Sequence, residues 1–169
     1  MLPRPKVLWI EDSARYELSE LTGPVYASRK YVLNLAEDAT TATYHLQNSQ
    51  FDVLIVDMRI PPGDNPVWQK IYQKGGKDKD TAKLGLKLLR WLLDGKNGDL
   101  DPLGKPPDWI NPESVAVFTV EGQTGLQETL HELDVRLYEQ KRATRRDTAL
   151  LDLIDRVIGD KNGKQQTGA

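Results

Sequence analysis

Two short apolar runs, each ending in acidic residues, constrain the fold more than any other feature of this sequence. Residues 7–10 read VLWI and are followed by Glu11 and Asp12, and residues 51–56 read FDVLIV and are followed by Asp57. Short runs rich in β-branched and apolar residues are typical of strands buried on both faces. The sequence therefore predicts a buried parallel sheet with carboxylates at the ends of two strands.

The rest of the chain alternates between strand and helix patterns. Further strands are predicted at 31–36, 114–118 and 135–138, and helices at 38–48, 84–93, 126–133 and 144–158. Asp80 or Thr81 is expected to cap the leucine-rich helix, and Gly95 to end it. Its leucines form a core stripe, because the pattern is too short for a coiled coil. This alternation favours an α/β fold with a doubly wound, five-stranded parallel sheet, in which ligands bind beyond the carboxyl ends of the strands.

Two long segments interrupt this alternation, at about 61–80 and 95–113, and both are predicted as extended loops. Within the first, the charged run 74–79 is interpreted as solvated. Trp68, Trp91 and Trp109 admit two interpretations, since two of the three lie in these segments and large exposed rings are unfavourable. They form either a small core that folds the insertions onto the sheet, or a docking surface or lid over Asp57.

Length and charge limit the classes of function. The chain of 169 residues is expected to form one domain over residues 1–159, followed by a disordered tail at 160–169. The net charge of −2 gives no general electrostatic reason to bind nucleic acid or anionic membranes. Because no apolar run reaches bilayer length and the first residues lack an apolar stretch, we expect a cytoplasmic protein without membrane insertion.

The residue types available for chemistry are few. There is no cysteine, which excludes disulfides and thiolate ligands, and the two histidines, His45 and His131, are expected on helix surfaces. Carboxylates, hydroxyls and lysines must therefore supply any activity.

Glu11, Asp12 and Asp57 are expected to converge, because they end neighbouring strands of a parallel sheet. Three close carboxylates raise one another's pKa unless a cation lies among them. Oxygen ligands without histidine or cysteine suit a hard ion such as Mg²⁺, which bridges carboxylates to phosphate oxygens. Thr119, after the fourth strand, and Lys141, after the fifth, could both meet a phosphate held at Asp57. The pattern indicates a phosphoryl site.

Over residues 6–158 the chain resembles the response-regulator receiver family of two-component signalling. The matching segments are VLWIED at 7–12, FDVLIVDMRIP at 51–61, VFT at 117–119 and YEQK at 138–141. Asp12 and Asp57 are separated by 45 positions, and Thr119 and Lys141 by 22, as in the family. Each segment is a weak signal alone, but the ordered set is specific.

The resemblance implies a flavodoxin-like receiver with strand order 2-1-3-4-5 and extended loops after strand 3 and before strand 4. It also implies a signalling switch rather than an enzyme, without a DNA-binding output domain. Asp57 would be the phosphoacceptor, and Mg²⁺ would be bound by Glu11, Asp12, Asp57 and the backbone carbonyl of Arg59.

The resemblance also assigns the switching residues and the partners. Thr119 would follow the phosphoryl group, Lys141 would pair with it, and Tyr138 would turn inward as the aromatic switch. A histidine kinase or phosphotransfer protein would be the phosphodonor, and a downstream protein would read the result. The face of the fourth helix, fifth strand and fifth helix would serve this contact or form a homodimer.

Four departures from the family leave alternatives open. Arg142 replaces the usual proline after the lysine, Val120 replaces a small residue, Arg59 adds a cation near the acceptor, and 62 positions separate Asp57 from Thr119. The second hypothesis is therefore a degenerate pseudo-receiver that binds proteins without phosphorylation. A third is a phosphohydrolase similar to the haloacid dehalogenases. Those enzymes need an Asp where this chain has Arg59, and their acidic pair follows the lysine.

Overall fold

Five parallel strands form the centre of the molecule in the computed structural model, which describes residues 2–95 and 98–167, with side chains up to residue 163. The strands are β1 Lys6–Ile10, β2 Val32–Ala36, β3 Val53–Val56, β4 Val115–Thr119 and β5 Leu137–Gln140. Their order across the sheet is β2-β1-β3-β4-β5, and every pairing is parallel. The predicted doubly wound sheet of order 2-1-3-4-5 is confirmed.

Helices cover both faces of this sheet. They are α1 Thr22–Ser28, α2 Ala39–Asn48, α3 Pro66–Lys74, α4 Lys79–Ala82, α5 Leu84–Leu93, α6 Gln123–Glu132 and α7 Ala149–Thr167. Short 3₁₀ turns lie at Ser19–Leu21, Gly98–Leu103 and Pro112–Ser114. In chain order, α6 and α7 correspond to the fourth and fifth helices of the receiver pattern, because α3 and α4 belong to the first insertion.

The sheet separates two hydrophobic cores. Leu8 and Leu54 face the core built with α2, α5 and α6, whereas Trp9 and Ile55 face the core built with α1 and α7. Successive side chains of a strand point to opposite faces, so a strand covered on both sides must be apolar throughout. This is why β1 and β3 are continuous apolar runs. None of the helices in the described part of the chain is both long and apolar enough to cross a membrane.

The first insertion is folded, which corrects its interpretation as an extended loop. Asn65 caps α3 by accepting a hydrogen bond from the Val67 amide at 2.8 Å, and Pro66 starts the helix, where its missing N–H costs nothing. Trp68 is completely buried and donates its indole N–H to Thr43 Oγ1 at 2.9 Å. Trp68 therefore attaches the insertion to the core and is not a docking surface.

The second insertion also packs onto the body of the protein. Trp91 is buried and donates its indole N–H to the Gly104 carbonyl at 3.2 Å. Trp109 is half-buried against Phe51, with 6.2 Å between ring centroids. The interpretation of the tryptophans as a core that holds the insertions is supported. Residues 96 and 97 of this segment lie outside the described residues.

Several predicted boundaries are wrong by a few residues. Strand β5 spans Leu137–Gln140 rather than 135–138, because Val135 instead ends the preceding loop, donating its amide to the Leu130 carbonyl at 2.9 Å. Neither Asp80 nor Thr81 caps α5, since both lie inside α4 and Lys83, with φ of 47°, separates the two helices. Gly95, with φ of 65°, does end α5.

The end of the chain also differs from the predicted disordered tail at 160–169. Helix α7 continues to Thr167, and Lys161 Nζ donates to the Asp52 carbonyl at 3.0 Å. The apolar stripe of Leu150, Ile154 and Val157 is fully buried, and a helix docked by such a stripe extends at low cost in free energy per added residue. Residues 168 and 169 lie outside the described residues.

Candidate functional site

Three carboxylates converge where β1 and β3 end, as the sequence predicts. Oxygens of Glu11, Asp12 and Asp57 all lie within 4.8 Å of one another. Parallel pairing enforces this arrangement, because the Asp57 amide donates to the Ile10 carbonyl at 3.0 Å and so aligns the ends of the two strands. Glu11 and Asp57 are buried, whereas Asp12 is half-buried and faces the mouth of the site.

Lys141 bridges the two buried acids. Its ammonium lies 2.9 Å from Asp57 Oδ2 and also contacts Glu11 Oε2. The sheet brings the lysine here, since the Lys141 amide donates to the Thr119 carbonyl at 2.8 Å directly after β5. Lys141 thus lies beside Asp57, and its pairing with a phosphoryl group there stays a prediction.

The protonation of Glu11 is unusual. Burial raises its pKa to about 8, and the nearby charge of Asp57 adds to the rise, while Lys141 opposes it. A buried carboxylate beside another carboxylate is unfavourable in its charged form. The site is therefore strained electrostatically, and a further positive charge would stabilise it.

A second lysine, Lys79 of α4, pairs with the third acid. Lys79 Nζ lies 2.7 Å from Asp12 Oδ2. Burial raises the pKa of Asp12, but hydrogen bonds with Glu11 and Lys79 hold it below its ordinary value. The hydrogen bond to Asp12 raises the pKa of Lys79, with burial opposing. The interpretation of the run 74–79 as a merely solvated loop is wrong at Lys79.

Arg59 does not turn its side chain toward the acidic cluster, although it follows Asp57 by two positions. Its guanidinium lies 3.1 Å from the buried Glu121 and 3.4 Å from Asp80. Lys83 approaches the same carboxylate of Glu121 at 3.4 Å. The Arg59 amide meanwhile donates to Asp57 Oδ1 at 3.3 Å, which holds the main chain of Arg59 beside Asp57.

Thr119 and Tyr138 meet at the backbone of Glu121. The Glu121 amide donates to Thr119 Oγ1 at 3.4 Å, and the Tyr138 hydroxyl donates to the Glu121 carbonyl. Thr119 is completely buried at the end of β4, whereas Tyr138 is half-buried on β5. The predicted hydroxyl and the predicted aromatic switch are thereby connected through one residue.

Helix α5 packs unusually close to the site at Gly85. Its amide donates to the Met58 carbonyl at 3.1 Å, and a Cβ at residue 85 would lie 1.9 Å from the carbonyl oxygen of Asp57. Only glycine permits this approach. The start of α5 consequently packs directly against the main chain of Asp57 and Met58.

The donor set fits a hard divalent cation. It consists of carboxylate oxygens, partly exposed at Asp12, without nitrogen or sulfur donors, which is the ligand type of Mg²⁺. Such a cation would stabilise the charged form of Glu11, whose pKa is raised by burial and by the nearby charge of Asp57. Glu11, Asp12 and Asp57 could hold the metal, and the main chain of Arg59 lies next to Asp57, to which its amide donates.

Sequence reasoning missed Lys79, Lys83, Gly85 and Glu121. A weak signal existed for the cations, because acids predicted to converge at a buried sheet edge require positive charge nearby. Nothing in the sequence indicates which lysine supplies it, since 67 positions separate Lys79 from Asp12. The two histidines are not part of the site: His131 is exposed, and His45 packs its ring against Phe51.

Comparison with known proteins identifies the fold. No protein-family model and no curated protein sequence matches the chain. A receiver domain protein (CheY-like) from Methanospirillum hungatei JF-1 is similar, with a TM-score of 0.60 and 13% identity, covering 96% of this chain and 99% of that one. A response regulator from Thermotoga maritima gives 0.55 and 15%, covering 93% and 99%.

The phosphorylated cyanobacterial phytochrome response regulator RcpA is also similar, with a TM-score of 0.54 and 16% identity, over 94% of this chain and 92% of that chain. The likeness extends over nearly the whole of each protein, so the insertions are accommodated without loss of the common sheet. At these identities it establishes the architecture, and the fold of this chain is that of the response-regulator receiver domains.

Proposed function

We propose that this chain is a response-regulator receiver that accepts a phosphoryl group on Asp57 and signals through contact with another protein. The observation that carries this proposal is the contact of Lys141 with both Asp57 and Glu11, within a cluster that also contains Asp12. An acidic pair, an acceptor carboxylate and a lysine at the carboxyl edge of this sheet are the parts that aspartyl phosphorylation requires.

The chemistry is a transfer of one phosphoryl group. A carboxylate oxygen of Asp57 attacks phosphorus, the new oxygen–phosphorus bond forms as the bond to the donor breaks, and the donor leaves with the bonding electron pair. The donor is a phosphohistidine of a histidine kinase or phosphotransfer protein, or a small acyl phosphate. Lys141 neutralises charge on the transferring group, and bound Mg²⁺ would stabilise its equatorial oxygens.

We infer the conformational switch from two hydrogen bonds of the Glu121 backbone, one to Thr119 and one to Tyr138. Thr119 would donate its hydroxyl hydrogen to the phosphoryl group, and its movement toward Asp57 would disturb the 3.4 Å hydrogen bond that its oxygen accepts from the Glu121 amide. The same residue holds the Tyr138 hydroxyl through its carbonyl. Movement of Thr119 therefore changes the position of Tyr138, and a local electrostatic event becomes a change of surface.

The surface that changes is the face of α6, β5 and α7. A cavity of about 290 Å³ opens there. Its lining residues include Gln123, Gln127, Leu130, His131 and Tyr138. We assign this face to the downstream protein partner, or to a second copy of the chain as a homodimer. A cavity that contains the aromatic switch would respond directly to phosphorylation at Asp57.

One observation favours the pseudo-receiver alternative. Lys141 and Lys79 together contact all three acids of the cluster, so the chain itself balances much of the negative charge of the site. A protein with such a site could keep its fold without binding metal or phosphate. The phosphohydrolase alternative requires an aspartic acid two positions after the nucleophile. Arg59 occupies that position, and its guanidinium is paired with Glu121, so this alternative lacks its general acid.

Incubation with Mg²⁺ and acetyl phosphate, followed by intact-mass measurement, tests the proposal. We expect addition of one phosphoryl group to the wild-type chain, none to Asp57→Asn, and normal addition to Asp64→Asn, which changes an exposed acid of the insertion. Absence of phosphorylation with acetyl phosphate and with phosphorylated kinase would instead support the pseudo-receiver. Multiple turnover of a phosphate monoester would support the phosphohydrolase.

A further inference from the structure

The four-residue helix α4 presents opposite charges to two sides of the acidic site. Lys79 Nζ lies 2.7 Å from Asp12 Oδ2. The next residue, Asp80, lies 3.4 Å from the Arg59 guanidinium. Asp12 follows β1 and Arg59 follows β3, so adjacent residues of α4 connect to the ends of both strands. The insertion is thereby attached across the mouth of the site.

The position of α4 does not depend on these ion pairs alone. Asp78 caps it by accepting a hydrogen bond from the Asp80 amide at 2.8 Å, and Thr81 Oγ1 donates to the Gly75 carbonyl at 2.8 Å. Ala82 is buried and packs against Gly75 so closely that a Cβ at residue 75 would lie 2.8 Å from it. These contacts hold α4 beside the site, and the Lys79–Asp12 pair adds to them.

Positive charge is divided between two lysines in this site. Lys141 contacts the buried Glu11 and Asp57, whereas Lys79 contacts Asp12, the acid nearest to solvent. Lys79 has 46% of its side chain exposed and Asp12 has 20%. Exposed ion pairs are weak and exchange readily, unlike buried ones. The pair at Asp12 is the one that an entering cation can displace.

We propose that Lys79 is a built-in counter-ion of Asp12 that competes with the divalent cation, and that cation binding releases Lys79 and loosens α4. This inference rests on the proposed Mg²⁺-dependent function. A doubly charged cation bound by Asp12 repels an ammonium that contacts the same carboxylate. Cation binding would then change the surface formed by the insertion, which is separate from the face of α6, β5 and α7.

Mg²⁺ affinity, measured by titration calorimetry without any phosphodonor, is the first test. We expect Lys79→Met to bind Mg²⁺ roughly two- to tenfold more tightly than wild type, as expected for removal of a weak competing ion pair. Lys79→Arg keeps the competing charge and should stay within about twofold of wild type. Lys70→Met, which removes an exposed lysine of α3 in the same insertion, is the control and should leave the Mg²⁺ affinity close to that of wild type.

Hydrogen exchange of the segment 76–84, followed by mass spectrometry, is the second test. Mg²⁺ should increase exchange at the Ala82 and Lys83 amides, which bond within α4, in wild type. The increase should be smaller in Lys79→Met, where the contact is already absent. Unchanged affinity in Lys79→Met, no measurable Mg²⁺ binding, or equal or slower exchange with Mg²⁺ would each overturn the inference. Failure of Asp57 phosphorylation alone would leave both readouts interpretable, because neither uses a phosphodonor.

Discussion

Gly85 of α5 lies directly against the main chain of Asp57, so that a Cβ at residue 85 would be 1.9 Å from the Asp57 carbonyl oxygen. The main chain of Asp57 is therefore contacted closely by the backbone of a helix. This contact fixes the depth at which α5 packs on the sheet, and it connects the leucine-rich helix to the geometry of the acidic cluster.

Gly85→Ala should destabilise the protein strongly. The added methyl group cannot fit without moving α5 or the Asp57 loop, and we expect a loss of about 3 kcal/mol in the free energy of unfolding. Urea denaturation measures this loss. Gly125→Ala is the control, since a Cβ there meets nothing within 4 Å in α6 and should stabilise by about 0.5–1 kcal/mol. Equal effects of the two substitutions would contradict the close approach at Gly85.

Thr43→Val should destabilise by leaving the indole N–H of Trp68 without its acceptor. The Trp68 side chain is completely buried, and its N–H donates to Thr43 Oγ1 at 2.9 Å. An unsatisfied buried donor costs about 1–3 kcal/mol. Chemical denaturation of Thr43→Val and of the double variant with Trp68→Phe measures the coupling. If the indole hydrogen bond stabilises the fold, Thr43→Val should lower the free energy of unfolding less in the Trp68→Phe background than in the wild type.

Lys141→Met should destabilise the chain because it leaves two buried acids without their shared cation. Removing one partner of a buried ion pair costs about 3–5 kcal/mol, and partial protonation of Glu11 should bring the loss toward the lower end. In the Asp57→Asn background the loss should shrink by about 1–2 kcal/mol, since one of the two charges is gone. Urea denaturation of each protein in this double-mutant cycle measures these losses. Additive losses would show that Lys141 and Asp57 do not interact energetically.

Tyr31 should make the protein lose stability at alkaline pH. Burial and the hydrogen bond from its hydroxyl to Asp155, 2.5 Å long, raise the pKa of Tyr31 above its ordinary value near 10. The folded state therefore keeps the phenol proton that the unfolded chain releases. This contribution is complete below pH of about 10 and is lost as pH rises further.

Urea denaturation between neutral pH and about pH 11 tests this prediction. Wild-type stability should fall more steeply above pH of about 10 than that of Tyr31→Phe, which has no phenol proton to release. Tyr16→Phe, at a tyrosine that is 75% exposed, should follow the wild-type curve. Parallel curves for wild type and Tyr31→Phe would refute the linkage.

The sequence predicted the core of the fold because its signals are local. A strand that is buried on both faces must be apolar at every position, so β1 and β3 are recognisable from residues 7–10 and 53–56 alone. The acids that follow them mark the carboxyl edge of the sheet. The convergence of Glu11, Asp12 and Asp57 then follows from parallel pairing, and their closeness within 4.8 Å agrees with that expectation.

The structure of the insertions was harder to predict because it depends on contacts between residues that are far apart in the sequence. Trp68 forms part of the core only because α2 offers Thr43, and 25 positions separate the two residues. The proline, glycine and charge content of 61–80 is equally compatible with an unstructured loop. Similarly, Lys83 in a left-handed conformation divides α4 from α5 at a point where the sequence contains no glycine or proline.

By itself, the sequence determined the parallel sheet, its acidic edge and the types of chemistry available, because these depend on burial and on residue type. Only the tertiary structure decided which cations neutralise which acids. Lys79 and Asp12, 67 positions apart, meet at 2.7 Å, and Arg59 turns to Glu121 although it follows Asp57 by only two positions. Charges pair by distance in space, and that distance is set by the packing of α3, α4 and α5 against the sheet.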